Sequence, residues 1–277
     1  MNQAEIDAAY NPRPAIPDFE ALIAEGLRRG EALRGRRRVL SGQRFGPTLD
    51  EYLDIYPADA PGAPIHLFFH GGYWRAFTAR EFGYVAEGAV SRGVTAVIAN
   101  YALAPKVRIA EIVRQARAAL AWVWGNAPAF GGDPRRITVS GHSAGAQLAA
   151  RLLQTDWPGE YGLPADIVKG ACLMSGLYDL EPLRWSWLQP VLQLDAETVA
   201  RESPQRHPPL VRAPVHLAVG GLESAAFHRQ TANFAAALAE AGLPVTTAVL
   251  EGRHHLGVLD DLADPAGPLW RAVEGMI

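Results

Sequence analysis

Short apolar runs recur along the chain, alternating with stretches rich in alanine and charge. "PIHLFFH" at 64–70, "GVTAVIANY" at 93–101, "RITVSG" at 136–141, "VKGACLMSG" at 168–176, "PVHLAVGG" at 214–221 and "PVTTAVLEG" at 244–252 are nearly continuous in apolar residues. Such runs suit strands buried on both faces of a parallel sheet. "LDEYLDIYPA" at 49–58 alternates instead, which predicts an outer antiparallel strand. Between these runs, Ile109, Ile112, Val113, Ala116, Leu120 and Val123 keep a helical period within 106–125. A second helix pattern, "AFHRQTANFAAALAEAG", stops at Gly242. Strand and helix in alternation predict an α/β fold: a mostly parallel, doubly wound sheet with helices on both faces.

One segment breaks the rhythm. Residues 177–209 form a long insertion containing Trp185, Trp187 and several prolines. A connection of that length at the end of a sheet strand predicts a short lid-like element over a site; the plainer reading is a surface excursion anchored by its tryptophans. Residues 1–40 read as an N-terminal helical extension, fit for a helix across the site mouth or a dimer contact. No repeat or low-complexity linker divides the chain, so its 277 residues are expected to form a single domain.

Charge narrows the partners. The formal net charge is −3, which gives no support for binding nucleic acid or an acidic membrane. The one basic cluster, "RRGEALRGRRR" from Arg28 to Arg38, carries six arginines among acids and reads as a solvated helix rather than an anion site. No apolar signal region and no membrane-length run is present, so the expected location is the cytoplasm. The single cysteine, Cys172, reads as a buried structural thiol.

The chemistry begins at "RITVSGHSAGAQLAARLL", which sets G-x-S-x-G, Gly141 to Gly145, between a strand and a helix. In that context Ser143 is expected at the apex of a sharp turn, above the sheet and at the positive end of the following helix. A serine nucleophile needs a base, and the base an orienting acid. In sheets of this kind the order along the chain is serine, acid, histidine, with the partners on loops at carboxyl ends of later strands. Glu223 follows "PVHLAVGG", and His254 and His255 follow "PVTTAVLEG". Asp179 is a rival acid on an earlier loop, less favoured than Glu223; spacing alone leaves the two adjacent histidines open. His142 lies within the elbow, His66 and His216 interrupt strands, and His228 falls on a helix. Neither H-E-x-x-H, C-x-x-C nor an acidic cluster at ligand spacing occurs, so no metal and no other cofactor is expected.

The stretch "FFHGGYWRA", Phe68 to Ala76, supplies the complement. Attack by Ser143 on a carbonyl creates an oxyanion, which needs fixed donors about 3 Å away. The backbone N–H of Ala144 is one candidate; those of Gly72 and Tyr73 are the others, with Gly71 and Gly72 leaving room for the substrate carbonyl. A tight glycine turn with packed aromatics is the plainer reading.

"HGGYW", "NYALAP" at 100–105, "GGDPRRITVSGHSAGAQLAARLL" and "GLESAAFHRQTANF" resemble the arylformamidase (kynurenine formamidase) branch of the α/β-hydrolases, close to esterases of the hormone-sensitive-lipase type. The likeness spans roughly residues 48–262. Its most specific piece is the His-Gly-Gly-Tyr-Trp loop, because related esterases usually carry a third glycine where Tyr73 stands. The resemblance implies the α/β-hydrolase fold, favours Glu223 as acid, and through "HLGVLDDL" selects His255 over His254. Leu256, where phenylalanine is usual, and Gly257, where an acid or asparagine is frequent, depart from the pattern. It implies a serine hydrolase that releases an arylamine from a small acyl amide through formyl-serine. A carboxylesterase on small acyl or aryl esters is the alternative, and a non-catalytic binding protein on the same scaffold a minor one. Gly71, Tyr73, Trp74, His142, Trp185 and Trp187 are the expected substrate-binding residues; the four aromatics would form the leaving-group pocket, the plainer reading being that they simply pack.

Overall fold

The computed structural model describes residues 2–277. Eight strands form one sheet: β1 (Leu40–Arg44), β2 (Tyr52–Tyr56), β3 (Ala63–Phe69), β4 (Thr95–Ala99), β5 (Gly132–His142), β6 (Gly170–Met174), β7 (Val215–Gly220) and β8 (Val245–Leu250). Their order is β1-β2-β4-β3-β5-β6-β7-β8. Both pairings of β2, with β1 and with β4, are antiparallel, and every later pairing is parallel.

From β3 to β7 the near-continuous apolar runs are explained by two buried faces; β8, expected to be buried likewise, is the far edge of the sheet and leaves Thr246, Thr247 and Val249 exposed. Along β3, Ile65, Leu67 and Phe69 join one core while Phe68 joins the other. Along β6, Ala171 and Leu173 face the first, Cys172 and Met174 the second. Period-two alternation therefore sorts side chains between two apolar layers rather than between core and water. The helices divide accordingly. Ile6 and Tyr10, in and after α1 (Gln3–Ala9), face the first layer with α4 (Ile109–Asn126), α5 (Ala144–Leu153), Trp157 of α6 (Trp157–Tyr161), α7 (Gln189–Leu192), α8 (Ala196–Glu202) and α9 (Ala225–Glu240). Leu33 of α2 (Phe19–Arg36), α3 (Ala86–Ser91), α10 (Asp260–Ala263) and α11 (Pro268–Glu274) cover the second. Cys172 is fully buried in that second layer, and desolvation pushes its thiol up to about 12, which keeps it protonated and inert.

Two expectations need correction. The alternating segment at 49–58 is not the outer strand: β2 lies second, and β1 forms the edge. β1 reads "LSGQR", shifts register between Leu40 and Gln43, and buries none of its residues fully, so it carries no apolar signal. The arginine cluster is not merely solvated either. Gly26, Gly30 and Leu33 of α2 turn inward, and Gly26 lies so close to Tyr84 and the Glu81 carbonyl that a side chain would collide with them. The arginines around them pair with acids of other elements: Arg29 with Asp260 at 2.6 Å, Arg36 with Glu87 at 2.9 Å, and Arg34 with the buried Asp54. The charges seal the edges of a packed helix. No helix among the described residues is long and apolar enough to cross a membrane.

Candidate active site

β5 runs into α5 through Ser143, which adopts φ 56° and ψ −118°, a conformation of non-glycine residues that persists only when its surroundings impose it. Here packing imposes it. A Cβ on Gly141 would lie 2.0 Å from the carbonyl oxygen of Gly145, and one on Gly145 would lie 2.1 Å from that of Phe69. The two glycines let strand and helix close on each other, and Ser143 is forced outward. Its N–H donates to the Met174 carbonyl at 2.8 Å, tying the elbow to β6.

Glu223 and His255 meet across the ends of β7 and β8. His255 Nδ1 donates to Glu223 Oε2 at 2.5 Å. The other carboxylate oxygen accepts from the Ser175 hydroxyl at 2.5 Å and from the Gly220 N–H at 2.7 Å. Burial alone would raise the Glu223 carboxyl, but the facing imidazole and these donors outweigh it and hold the group below its ordinary value. Asp179, the rival acid, is engaged elsewhere: it accepts from the Glu181 N–H and pairs with Arg206. His254 is turned away too, its Nδ1 accepting from the Gly257 N–H at 3.0 Å.

His142 contributes from inside the elbow. Its Nε2 donates to the His255 carbonyl at 2.7 Å, and its ring centroid lies 4.6 Å from that of His255. Burial pushes it down to about 3, so it remains a neutral donor that fixes the backbone of its neighbour.

Ser143, His142 and His255 open onto one cleft of about 360 Å³, a volume suited to a small organic molecule. The glycine loop forms one wall. Gly72 (φ 114°), Tyr73 (φ 51°) and Trp74 (φ 55°) are all left-handed, an arrangement unfavourable for two aromatics in succession. Gly71 allows the loop to close on the elbow: a Cβ there would lie 2.7 Å from His142 Nδ1 and 3.1 Å from Ser143 Cβ. Among the described residues, the N–H groups of Gly72, Tyr73 and Ala144 have no hydrogen-bond partner outside the helix, which leaves them free for a ligand. The loop is locked from beneath by Trp74, wholly buried, whose Nε1 donates to Gln147 at 3.1 Å.

Trp74 therefore does not line the cleft; it is a core residue, because its left-handed backbone turns the indole under the loop toward α5. Trp185 does not line it either. That ring is 56% exposed and donates to Glu181 within its own turn. Trp187 does reach the cleft, where it meets Tyr73 edge-on at 5.9 Å.

The N-terminal segment supplies walls that no periodicity announced. Pro12, Ile16 and Phe19 line the cleft, and the preceding residues are tied to its rim. The Tyr73 hydroxyl donates to the Tyr10 carbonyl at 2.5 Å, Ser224 Oγ to the Ala9 carbonyl at 2.6 Å, and the Trp187 N–H to Asp7 Oδ1 at 2.6 Å. A second opening of about 650 Å³ lies beside this strap, also reaching His255 and Trp187. Ser175, which completes the Glu223 environment, had no sequence signal beyond following a strand. Among the described residues, no three His, Cys, Asp or Glu side chains gather in a way that could hold a metal ion.

Residues 66–259 match the family described as alpha/beta hydrolase fold. The chain belongs to that family. Among its relatives, the kynurenine formamidases of Danio rerio and Salmo salar are each 30% identical to this hydrolase, over 95% of its chain and 92% of theirs. A Silicibacter structure provisionally assigned as a thioesterase superposes with a TM-score of 0.86 at 28% identity, covering 98% of this hydrolase and 99% of that chain. The resemblance to the formamidase branch, drawn from its motifs, is borne out by these comparisons.

Proposed function

We propose that this α/β hydrolase uses Ser143 as a nucleophile to cleave a small acyl amide of an arylamine, with N-formylkynurenine as the type of substrate. The observation that carries the reading is the His255–Glu223 contact at 2.5 Å, with His255 and the strained Ser143 lining the same cleft. Glu223 keeps the proton of His255 on Nδ1, which leaves Nε2 as the base. His255 takes the Ser143 proton as Oγ attacks the formyl carbon, and the oxyanion develops toward the N–H groups of Gly72, Tyr73 and Ala144. Each such donor is worth on the order of 10²–10³ in turnover in hydrolases. The tetrahedral intermediate expels the amine, which receives the proton from His255. Water, deprotonated by the same imidazole, then releases formate and restores the serine.

The choice of a formyl arylamide is supported by the extended similarity to kynurenine formamidases and by a cleft walled with Phe19, Phe77, Phe82 and Trp187. An ester or thioester of similar size presents the same acyl carbon to Ser143, and the Silicibacter relative, provisionally assigned as a thioesterase, supports that second reading. Intact-protein mass spectrometry under rapid quench tests the serine mechanism. A formyl adduct is expected on the wild-type protein and absent from Ser143→Ala; an adduct of equal amount on the variant would defeat the assignment.

A further inference from the structure

The cleft carries an unbalanced charge that the hydrolytic machinery does not use. Two arginines, Arg13 and Arg75, line it together with mostly apolar side chains, and no aspartate or glutamate does. Arg13 is already committed: it pairs with Glu20 and lies 4.7 Å over the Phe19 ring. Arg75 is not. Its guanidinium stands 5.5 Å over the Trp187 ring, and among the described residues it has no ion pair and no side-chain hydrogen bond. The surroundings are fixed: the Arg75 backbone N–H donates to the Gly72 carbonyl at 3.0 Å, and Trp187 is held by Tyr73 and Asp7.

An exposed cation held over an aromatic ring, with its donors unpaired, offers a planar fork matched to a carboxylate. We propose that Arg75 is a specificity-determining residue that selects substrates whose aromatic leaving group bears a carboxylate. The proposal rests on the reading of this cleft as an acyl-transfer site. The aromatic body occupies the apolar walls while the carboxylate reaches the guanidinium at the rim. Arg13, neutralised by Glu20, adds only a background field.

The test compares kcat/KM for 3-formamidobenzoate and formanilide, and in parallel for 3-acetoxybenzoate and phenyl acetate, in wild type, Arg75→Gln and Arg75→Glu. Intrinsic reactivity cancels when the anionic-to-neutral ratio is compared between proteins. That ratio is expected to fall about tenfold in Arg75→Gln, chiefly through KM, and further in Arg75→Glu. Added salt should erode the wild-type preference. A ratio within twofold of wild type in both variants overturns the proposal. If neither formamide is turned over, the ester pair still reads the ratio, so failure of the formamide assignment is distinguishable from failure of the role of Arg75.

Discussion

The His255 ring presents Nδ1 to Glu223 at 2.5 Å, while its own backbone carbonyl accepts from His142 at 2.7 Å. One histidine is thus held at both its side chain and its main chain, from the loop after β7 and from the end of β5. The first contact fixes the tautomer and the second fixes where the loop stands.

Glu223→Gln tests the first. The amide is the same size, but its NH₂ can meet Nδ1 and favour the wrong tautomer. Turnover is expected to fall by about 10⁴-fold with KM little changed, by analogy with the carboxylate-to-amide exchange of the triad aspartate in a serine protease. Steady-state kinetics decides it; a loss below tenfold would show that Glu223 does not orient the base.

The adjacent histidines give a sharper contrast. His255→Ala is expected to lose on the order of 10⁴–10⁶ in kcat, as when one member of a unit is removed. His254→Ala should change kcat less than tenfold, since its ring accepts a local N–H from Gly257. The reverse pattern in parallel assays would reassign the base.

Trp74 is expected to act on stability rather than specificity. Its Nε1 bonds to Gln147, whose own amide donates to the Glu202 carbonyl at 2.9 Å. Trp74→Phe leaves the buried Gln147 oxygen without its donor, which costs about 1–3 kcal/mol. Urea denaturation should show that loss, while KM for aromatic substrates stays within threefold; a large selective rise in KM would return Trp74 to the pocket wall.

Buried histidines predict acid lability. Desolvation pushes His66 down to about 3, His70 to about 4 and His142 to about 3, against an ordinary value of 6.5. Below pH 6.5 the unfolded chain binds protons that the folded chain refuses. Their stabilising contribution is therefore complete above pH 6.5 and is lost as the pH falls toward 3–4. At pH 5 the loss is on the order of 2 kcal/mol per histidine, a sizeable fraction of the stability of a typical domain. The urea midpoint should drop steeply between pH 7.5 and 5. His66→Gln should flatten that slope, and a midpoint indifferent to pH would contradict the burial of neutral imidazoles.

Much of the fold and of the site is legible in the sequence. The apolar runs located β3 to β8, five of them because burial on both faces leaves a strong signal and the edge strand β8 through its β-branched residues, and the glycines around Ser143 marked the elbow because only they fit. β1 was not legible, since an edge strand with exposed side chains resembles a loop. The orientations of Trp74 and Trp185 escaped for a different reason. An aromatic beside a glycine loop satisfies the sequence equally well pointing into the cleft or under it, and for Trp74 only the distant partner Gln147 decides; Trp185 is held by Glu181 in its own turn, on a segment whose path over the site the sequence does not fix. The N-terminal strap and Ser175 reach the site by long-range contacts that leave no local pattern.

The most direct test of the central claim is kcat/KM for N-formyl-L-kynurenine beside p-nitrophenyl acetate and butyrate, with the Ser143→Ala protein as blank. The account predicts turnover of the formamide that exceeds both esters and vanishes in the variant. A silent formamide with active esters would contradict the substrate assignment, and full activity in Ser143→Ala would contradict the nucleophile.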